Sequence, residues 1–104
     1  LISVLLDVSP TNYDRDDAAM DLGLYDELEA EQTLATIAID PNTDPQLADT
    51  CAQSLAEIWC RKDTLNLEVL RHLKGAALTV ALAIIADRKP EWKSKVAESG
   101  IGMV

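Results

Sequence analysis

An internal repeat constrains the fold of this chain more than any other feature of its sequence. Shifting the sequence by roughly 33 residues aligns Leu6-Asp7 with Ile39-Asp40 and Ala18-Ala19 with Cys51-Ala52. A fainter and shorter third copy, residues 81–85, matches residues 54–58 at an offset of 27. Units that cannot bury an apolar face alone become stable when about three of them stack. We therefore expect a stack of similar units, each with an apolar segment, a turn and a helix.

The turn of the second copy, DPNTDP, resembles a calcium loop at first sight. Asp40, Asn42 and Asp44 have the spacing of the first three ligands of an EF-hand. However, Pro45 stands where that loop needs a glycine, and Cys51 stands where it needs a chelating glutamate. Asp followed by Pro is also a good helix start, because Asp caps the first turn and Pro suits the first helical position. We interpret the segment as a turn between two helices.

Composition favours an all-α domain. Aromatic residues make up only 4% of the chain and Phe is absent, so the core must be filled by Leu, Ile, Val and Ala, which suits packed helices. A length of 104 residues allows one domain, residues 1–104. Apolar periodicity predicts helices at about residues 2–8, 14–22, 25–38, 45–61, 65–73 and 76–88, with a short piece after Pro90.

The longest uncharged run, residues 75–86, is too short to cross a bilayer, and we expect it to form the most buried helix. The two cysteines, Cys51 and Cys60, lie roughly 13 Å apart on opposite faces of one predicted helix, so they cannot form a disulfide with each other. The sequence begins without a recognisable signal peptide. These features predict a reduced, cytoplasmic protein.

The charge is distributed unevenly along the chain. Residues 1–57 contain thirteen acids and one Arg, a balance of −12, whereas residues 58–104 have a balance of +3. An acidic surface of this kind repels nucleic acid and membranes and attracts basic proteins. An acidic surface also keeps a small protein in solution, so charge alone does not establish a basic partner.

The predicted helix at residues 45–61 has two distinct stripes. The apolar stripe comprises Leu47, Cys51, Leu55, Ile58 and Trp59, and we expect it to face the core. Asp49, Gln53 and Glu57 form a polar stripe that faces solvent or a partner.

Residues 33–39, the DPNTDP turn and the following LADTCAQSLAEI resemble a HEAT-type repeat, and residues 14–23 resemble its second helix. The chain departs from that pattern at Ala56, in two extra residues of the second turn, and in a third repeat without the Asp-Pro turn. The resemblance implies a short right-handed stack of about three antiparallel helical hairpins. Its repeats would cover about residues 1–24, 25–62 and 63–89, with a C-terminal cap or tail at residues 90–104.

The sequence offers little catalytic or metal-binding chemistry. His72 is the single histidine and pairs most simply with Glu68 on the same helix. Gly23 and Gly75 are interpreted as helix ends rather than parts of a phosphate loop. The acids lie on predicted solvated faces, and the basic patch near Trp92 is too small to indicate nucleic-acid binding. We predict no catalytic residue, no metal site and no cofactor.

The resemblance also implies a binding surface, because the second helix of each HEAT-like hairpin lines the concave side. The expected surface combines acids, an amide and one aromatic residue: Tyr13, Asp14, Asp16, Asp17, Asp49, Gln53 and Glu57. Short acidic proteins of this kind resemble bacterial immunity proteins, which neutralise a cognate toxin, often a basic nuclease. The expected function is therefore non-enzymatic binding of a basic protein such as a toxin domain.

Two alternatives remain open at this stage. The chain could be a HEAT-like scaffold or regulatory adaptor that uses the same surface for another protein. It could also assist a tetrapyrrole lyase, although neither cysteine has the exposed, cation-flanked setting of a reactive thiol. The argument against a reactive thiol is weaker for Cys60 than for Cys51, because Cys60 is next to Arg61.

Overall fold

The computed structural model describes residues 12–101, with side chains from Arg15 onwards. This part of the chain is helical, with turns and short connections and no strand. Its elements are α1 (Asn12–Leu22), α2 (Leu28–Ile39), α3 (Pro45–Lys62), α4 (Leu67–His72), α5 (Gly75–Arg88), a 3₁₀ turn (Pro90–Trp92) and α6 (Lys93–Glu98). The all-α prediction is confirmed. The helix predicted at residues 2–8 lies outside the described residues.

The central helix, α3, starts as its sequence predicts. The Asp44 carboxylate accepts hydrogen bonds from the backbone N–H groups of Gln46 (3.1 Å) and Leu47 (3.3 Å), and Pro45 is the first helical residue. In the preceding turn, Asp40 accepts a hydrogen bond from the backbone N–H of Asn42 at 2.9 Å. Both carboxylates therefore stabilise the turn between α2 and α3, which confirms the interpretation of DPNTDP as a helix connection.

The helices pack around α3. Residues Asp16 and Gln46 meet near the starts of α1 and α3, and Gly23 meets Arg61 near their ends, so these two helices run parallel. Arg88 reaches Glu57 near the ends of α5 and α3, while α2 returns antiparallel behind α3. The result is a row of three parallel helices in the order α1–α3–α5. Helices α2 and α4 lie together on one face of this row, against α3.

The apolar stripe of α3 faces the core, as predicted. Leu47, Cys51, Leu55, Ile58 and Trp59 are fully buried. In contrast, the expectation that the helix at residues 75–86 would be the most buried is wrong. On α5 only Ala77, Ala81 and Ile85 are buried, whereas α3 has nine buried residues. The physical reason is position, since α3 is contacted by α1, α2 and α5, while α5 lies at one end of the row.

Small residues let α1 approach α3 closely. The buried Ser54 hydroxyl on α3 donates a hydrogen bond to the carbonyl oxygen of Ala19 at 2.8 Å. A Cβ atom at Gly23, directly after α1, would lie only 2.8 Å from the Ser54 oxygen. Gly23 thus ends α1 as predicted and also permits this contact. Gly75 adopts a φ of 58° and begins α5.

Two helices start later than predicted. The periodicity places a helix start at residue 25, but α2 begins at Leu28, because the preceding residue, Glu27, adopts an extended backbone conformation with a ψ of 137°. Likewise α4 begins at Leu67 rather than residue 65, because Asn66 caps it by accepting a hydrogen bond from the Val69 N–H at 3.1 Å.

Candidate protein-binding surface

The predicted polar stripe of α3 lies on the open side of the helix row. Gln53 is exposed, and Asp49 and Glu57 are half-buried, on the face of α3 opposite α2. Glu57 lies 3.7 Å from the Arg88 guanidinium of α5. We call the three residues Asp49, Gln53 and Glu57 the α3 strip. The α3 strip lies on the surface between α1 and α5.

The other predicted site residues do not all join this strip. Asp16 does, since its carboxylate accepts a hydrogen bond from the Gln46 side chain of α3 at 3.1 Å. Asp17 is exposed on another side of α1, because successive helical residues point about 100° apart. The side chains of Tyr13 and Asp14 lie outside the described residues. The structure therefore brings together four of the seven predicted residues.

The strip is not acidic along its whole length, which corrects the sequence-based expectation of an acidic groove. At the C-terminal end of α3, Glu57 is joined by three cations, Arg61, Arg88 and Lys89. Charge counting along α1 and α3 missed this neighbourhood, because Arg88 is the last residue of α5, Lys89 directly follows it, and both reach the strip only through packing. The acidic character is concentrated at the opposite end, near Asp16 and Asp49.

A second surface, at the junction of α1 and α2, was not predicted. Within residues 20–28, four large apolar side chains are between 46% and 74% exposed, and three acids lie among them. We call this surface the α1–α2 corner; it comprises Met20, Asp21, Leu24, Tyr25, Asp26, Glu27 and Leu28. Exposed apolar side chains surrounded by charge are typical of protein-binding sites. The sequence did indicate exposed apolar residues here, because Leu24 and Leu28 follow a helix-ending glycine and fit the apolar stripe of neither flanking helix.

Arg61 fixes the backbone of the α1–α2 corner. Its guanidinium donates to the Asp26 carboxylate at 2.7 Å, to the Gly23 carbonyl at 2.9 Å and to the Tyr25 carbonyl at 3.2 Å. These bonds satisfy carbonyls at and beyond the end of α1 that have no helical partner. One side chain of α3 therefore holds the corner in a defined shape before any partner arrives.

Neither cysteine has the properties of a reactive thiol. Burial raises the pKa of Cys51 to about 12, and the nearby Asp16 carboxylate adds to that increase. Burial also raises the pKa of Cys60, although Arg88 and Lys89 oppose it. The expectation that Arg61 is the cation beside Cys60 was incomplete, because Arg88 and Lys89, at the end of α5 and just after it, are also close. Both thiols stay protonated at neutral pH, and a thiol is a poor nucleophile.

The histidine contributes to helix structure. His72 Nδ1 lies 2.8 Å from the carbonyl oxygen of Glu68 and 3.7 Å from its carboxylate. This geometry confirms the predicted pairing within one helix. Between residues 12 and 101, no group of three or more His, Cys, Asp or Glu side chains is arranged to hold a metal ion. In the same part of the chain, no helix has the length and apolar character needed to span a membrane.

Comparisons with protein-family models, curated proteins and solved structures gave no match for this chain. Its function must therefore be inferred from its own residues. The α1–α2 corner and the α3 strip are the two surfaces from which such an inference can start.

Proposed function

We propose that this chain is a non-enzymatic protein-binding module, and specifically a bacterial immunity protein that neutralises a basic, nuclease-type toxin. The observation that supports this proposal best is the α1–α2 corner, where exposed apolar side chains stand among carboxylates on a fixed backbone. Such a surface combines the two features that a basic protein partner requires, apolar contact area and opposite charge.

The apolar residues of the corner would supply most of the affinity. Leu24 is 74% exposed, and Met20 and Leu28 are each 59% exposed. Burying a side chain of this size is worth about 1.5–3 kcal/mol, less the fraction already buried. Tyr25 adds an aromatic group of the type that is enriched among residues dominating binding energies. Because Arg61 already orders the backbone here, less conformational entropy is lost on binding.

The acids would raise the association rate and the selectivity for basic proteins. Residues 1–57 carry a charge of −12, so a basic protein is attracted over distances of about a Debye length, ~8 Å at physiological salt. A nuclease binds its substrate through cations that contact phosphates. An acidic protein covering those cations would compete directly with the nucleic acid, without any catalytic step of its own.

We further propose a HEAT-like architecture. The parallel row α1–α3–α5 corresponds to the second helices of three successive hairpins, and α2 and α4 correspond to the first helices of the second and third. In such a stack the second helices line one face, which here carries the α3 strip and Asp16. This arrangement supports a binding role for that face next to the α1–α2 corner.

The proposal predicts that a toxin domain is encoded beside this gene, and co-expression of the chain with that domain tests it. We expect the chain to restore growth and to bind the purified toxin domain with an affinity that falls as salt rises. Growth that is not restored, together with an absence of binding, would rule out the immunity role. Binding to a different, non-toxic protein through the same corner would instead support the scaffold or adaptor role.

The lyase-accessory alternative is less well supported by the geometry, since both thiols are buried and have raised pKa values. Labelling of the native protein with a thiol reagent tests it. Rapid modification of Cys60 in the folded protein would bring that alternative back.

A further inference from the structure

A groove lies between α2 and α4, and we call it the α2–α4 groove. Its volume is about 480 Å³, within the usual range of small-molecule sites. Leu28 and Ile39, the first and last residues of α2, both line it, so it extends over roughly 16 Å at the rise of a helix. Two fully buried residues of α3, Leu55 and Trp59, form its base, and Val69 of α4 lines the other side.

The base of the groove contains a hydrogen-bond donor without a partner. Trp59 has no exposed surface, and its indole Nε1 atom has no hydrogen-bond partner among the described residues. A buried donor without an acceptor costs free energy, because it gives up its bond to water and gains none in return. Such donors are rare in folded proteins. An acceptor atom that enters from the groove would satisfy Trp59 and leave the protein's own hydrogen bonds intact.

A second donor lies on the α4 side of the groove. The side-chain oxygen of Asn66 accepts a hydrogen bond from the Val69 backbone N–H at 3.1 Å and thereby caps α4, which leaves the Asn66 amide NH₂ to donate. Between the two donors the lining is apolar, with Ala35, Leu55 and Val69. A few polar groups within an apolar lining are typical of small-molecule sites. This lining suits a molecule that carries an acceptor, such as a carbonyl oxygen, on an apolar body.

The charge of the groove favours an uncharged molecule. Among the described residues that line it, Glu31 is the one with an ionisable side chain, and its carboxylate lies 3.5 Å from the Lys62 ammonium. An anion would be repelled by this carboxylate, which is only 16% exposed and therefore weakly screened. A cation would have to displace Lys62.

We propose that the α2–α4 groove binds a small, uncharged organic molecule whose carbonyl oxygen accepts a hydrogen bond from the Trp59 indole N–H. The apolar part of the molecule packs against Leu55 and Val69. This site goes beyond the proposed toxin binding, since it takes a different class of ligand and does not depend on the acids of the α1–α2 corner. Failure of either proposal leaves the other standing.

The experiment is a titration of the ¹⁵N-labelled chain with acetophenone, followed through the two indole N–H signals in two-dimensional NMR. We expect a saturable shift of the Trp59 signal with a Kd on the order of 1 mM, since the ligand is small. Trp92 is the internal control, because it is also buried but does not line the groove, and its signal should not move. A Trp92→Phe variant assigns the two signals.

Two comparison molecules test the chemical class of the ligand. Toluene has the same ring but no carbonyl, and benzoate has the same ring with a negative charge. Both should bind more weakly than acetophenone. A Trp59 signal that acetophenone does not shift, or equal binding of toluene or benzoate, would overturn the proposal.

Two substitutions assign the binding to this groove. Trp59→Phe removes the indole N–H and should raise the Kd for acetophenone about fivefold, measured from backbone amide shifts, without changing the Kd for toluene. Val69→Phe should fill the groove and abolish binding. Val80→Phe is the matched control, since Val80 is likewise half-buried but lies on α5, and it should keep the wild-type Kd.

The NMR spectrum of each variant checks its fold, and the wild-type titration decides the question by itself if a variant unfolds. An unchanged Kd for acetophenone in folded Trp59→Phe or folded Val69→Phe would refute the site.

Discussion

Replacing Arg61 with Ala should loosen the α1–α2 corner and lower the free energy of unfolding by about 1–2 kcal/mol. The bond to the Gly23 carbonyl is partly buried and contributes about 1 kcal/mol, and the exposed bond to Tyr25 contributes a few tenths. The ion pair with Asp26 contributes at most about 0.5–1 kcal/mol, because its side chains are 39% and 67% exposed. Most of the loss should therefore come from the carbonyl contacts.

The assay is urea unfolding followed by tryptophan fluorescence, since Trp59 is fully buried. Arg71→Ala is the control, because Arg71 also lies in the last turn of a helix and forms an exposed ion pair, and it should cost about 0.3 kcal/mol. Asp26→Asn should cost less than half as much as Arg61→Ala. If Arg61→Ala is no more destabilising than Arg71→Ala, the corner is not held by this side chain.

Three further predictions follow from the described contacts. Burial gives Cys51 a pKa of about 12 in the folded protein, against 9.0 for a free thiol, so the free energy of unfolding should fall as pH rises from 9 towards 12. Urea unfolding measured across this pH range should show a smaller fall for Cys51→Ala. Ser54→Ala removes a buried hydrogen bond and should cost about 1 kcal/mol in urea unfolding; no change would contradict the close α1–α3 contact. Reversing Asp49 and Glu57 to Lys should slow association with a basic partner and reduce its salt dependence in stopped-flow measurements, whereas Glu68→Lys should not; equal rates would make the α3 strip a solubilising face.

Local signals in the sequence predicted the start and the buried face of α3. Asp44 and Pro45 act within one turn of the helix, so their roles do not depend on distant residues. The stripe from Leu47 to Trp59 was readable because a helix with one buried face has a regular spacing of apolar residues. The predicted bounds of this helix, residues 45–61, differ from those observed by one residue.

Features that depend on packing were not predictable in the same way. Hydropathy alone made residues 75–86 look like the core helix, but burial depends on how many neighbours a helix has. Likewise, Arg88 and Lys89 alter the charge beside Glu57 although they lie more than thirty residues away in the sequence. The α1–α2 corner was missed because its shape depends on Arg61, which lies far along the chain and donates hydrogen bonds to the carbonyls of Gly23 and Tyr25.

The central claim is that the chain binds a basic protein through the α1–α2 corner. The claim predicts a basic toxin domain encoded beside this gene. The most direct test is calorimetric titration of such a domain with the wild-type chain and with a Leu24→Ala, Tyr25→Ala double variant. We expect the double variant to bind at least about tenfold more weakly, since exposed anchors at the centre of an interface are typically worth more than 1 kcal/mol each. The control is an Ile39→Ala variant, which changes an exposed apolar residue at the far end of α2 and should bind with wild-type affinity. Equal affinities for the double variant and the wild type, or no binding by the wild type, would contradict the claim.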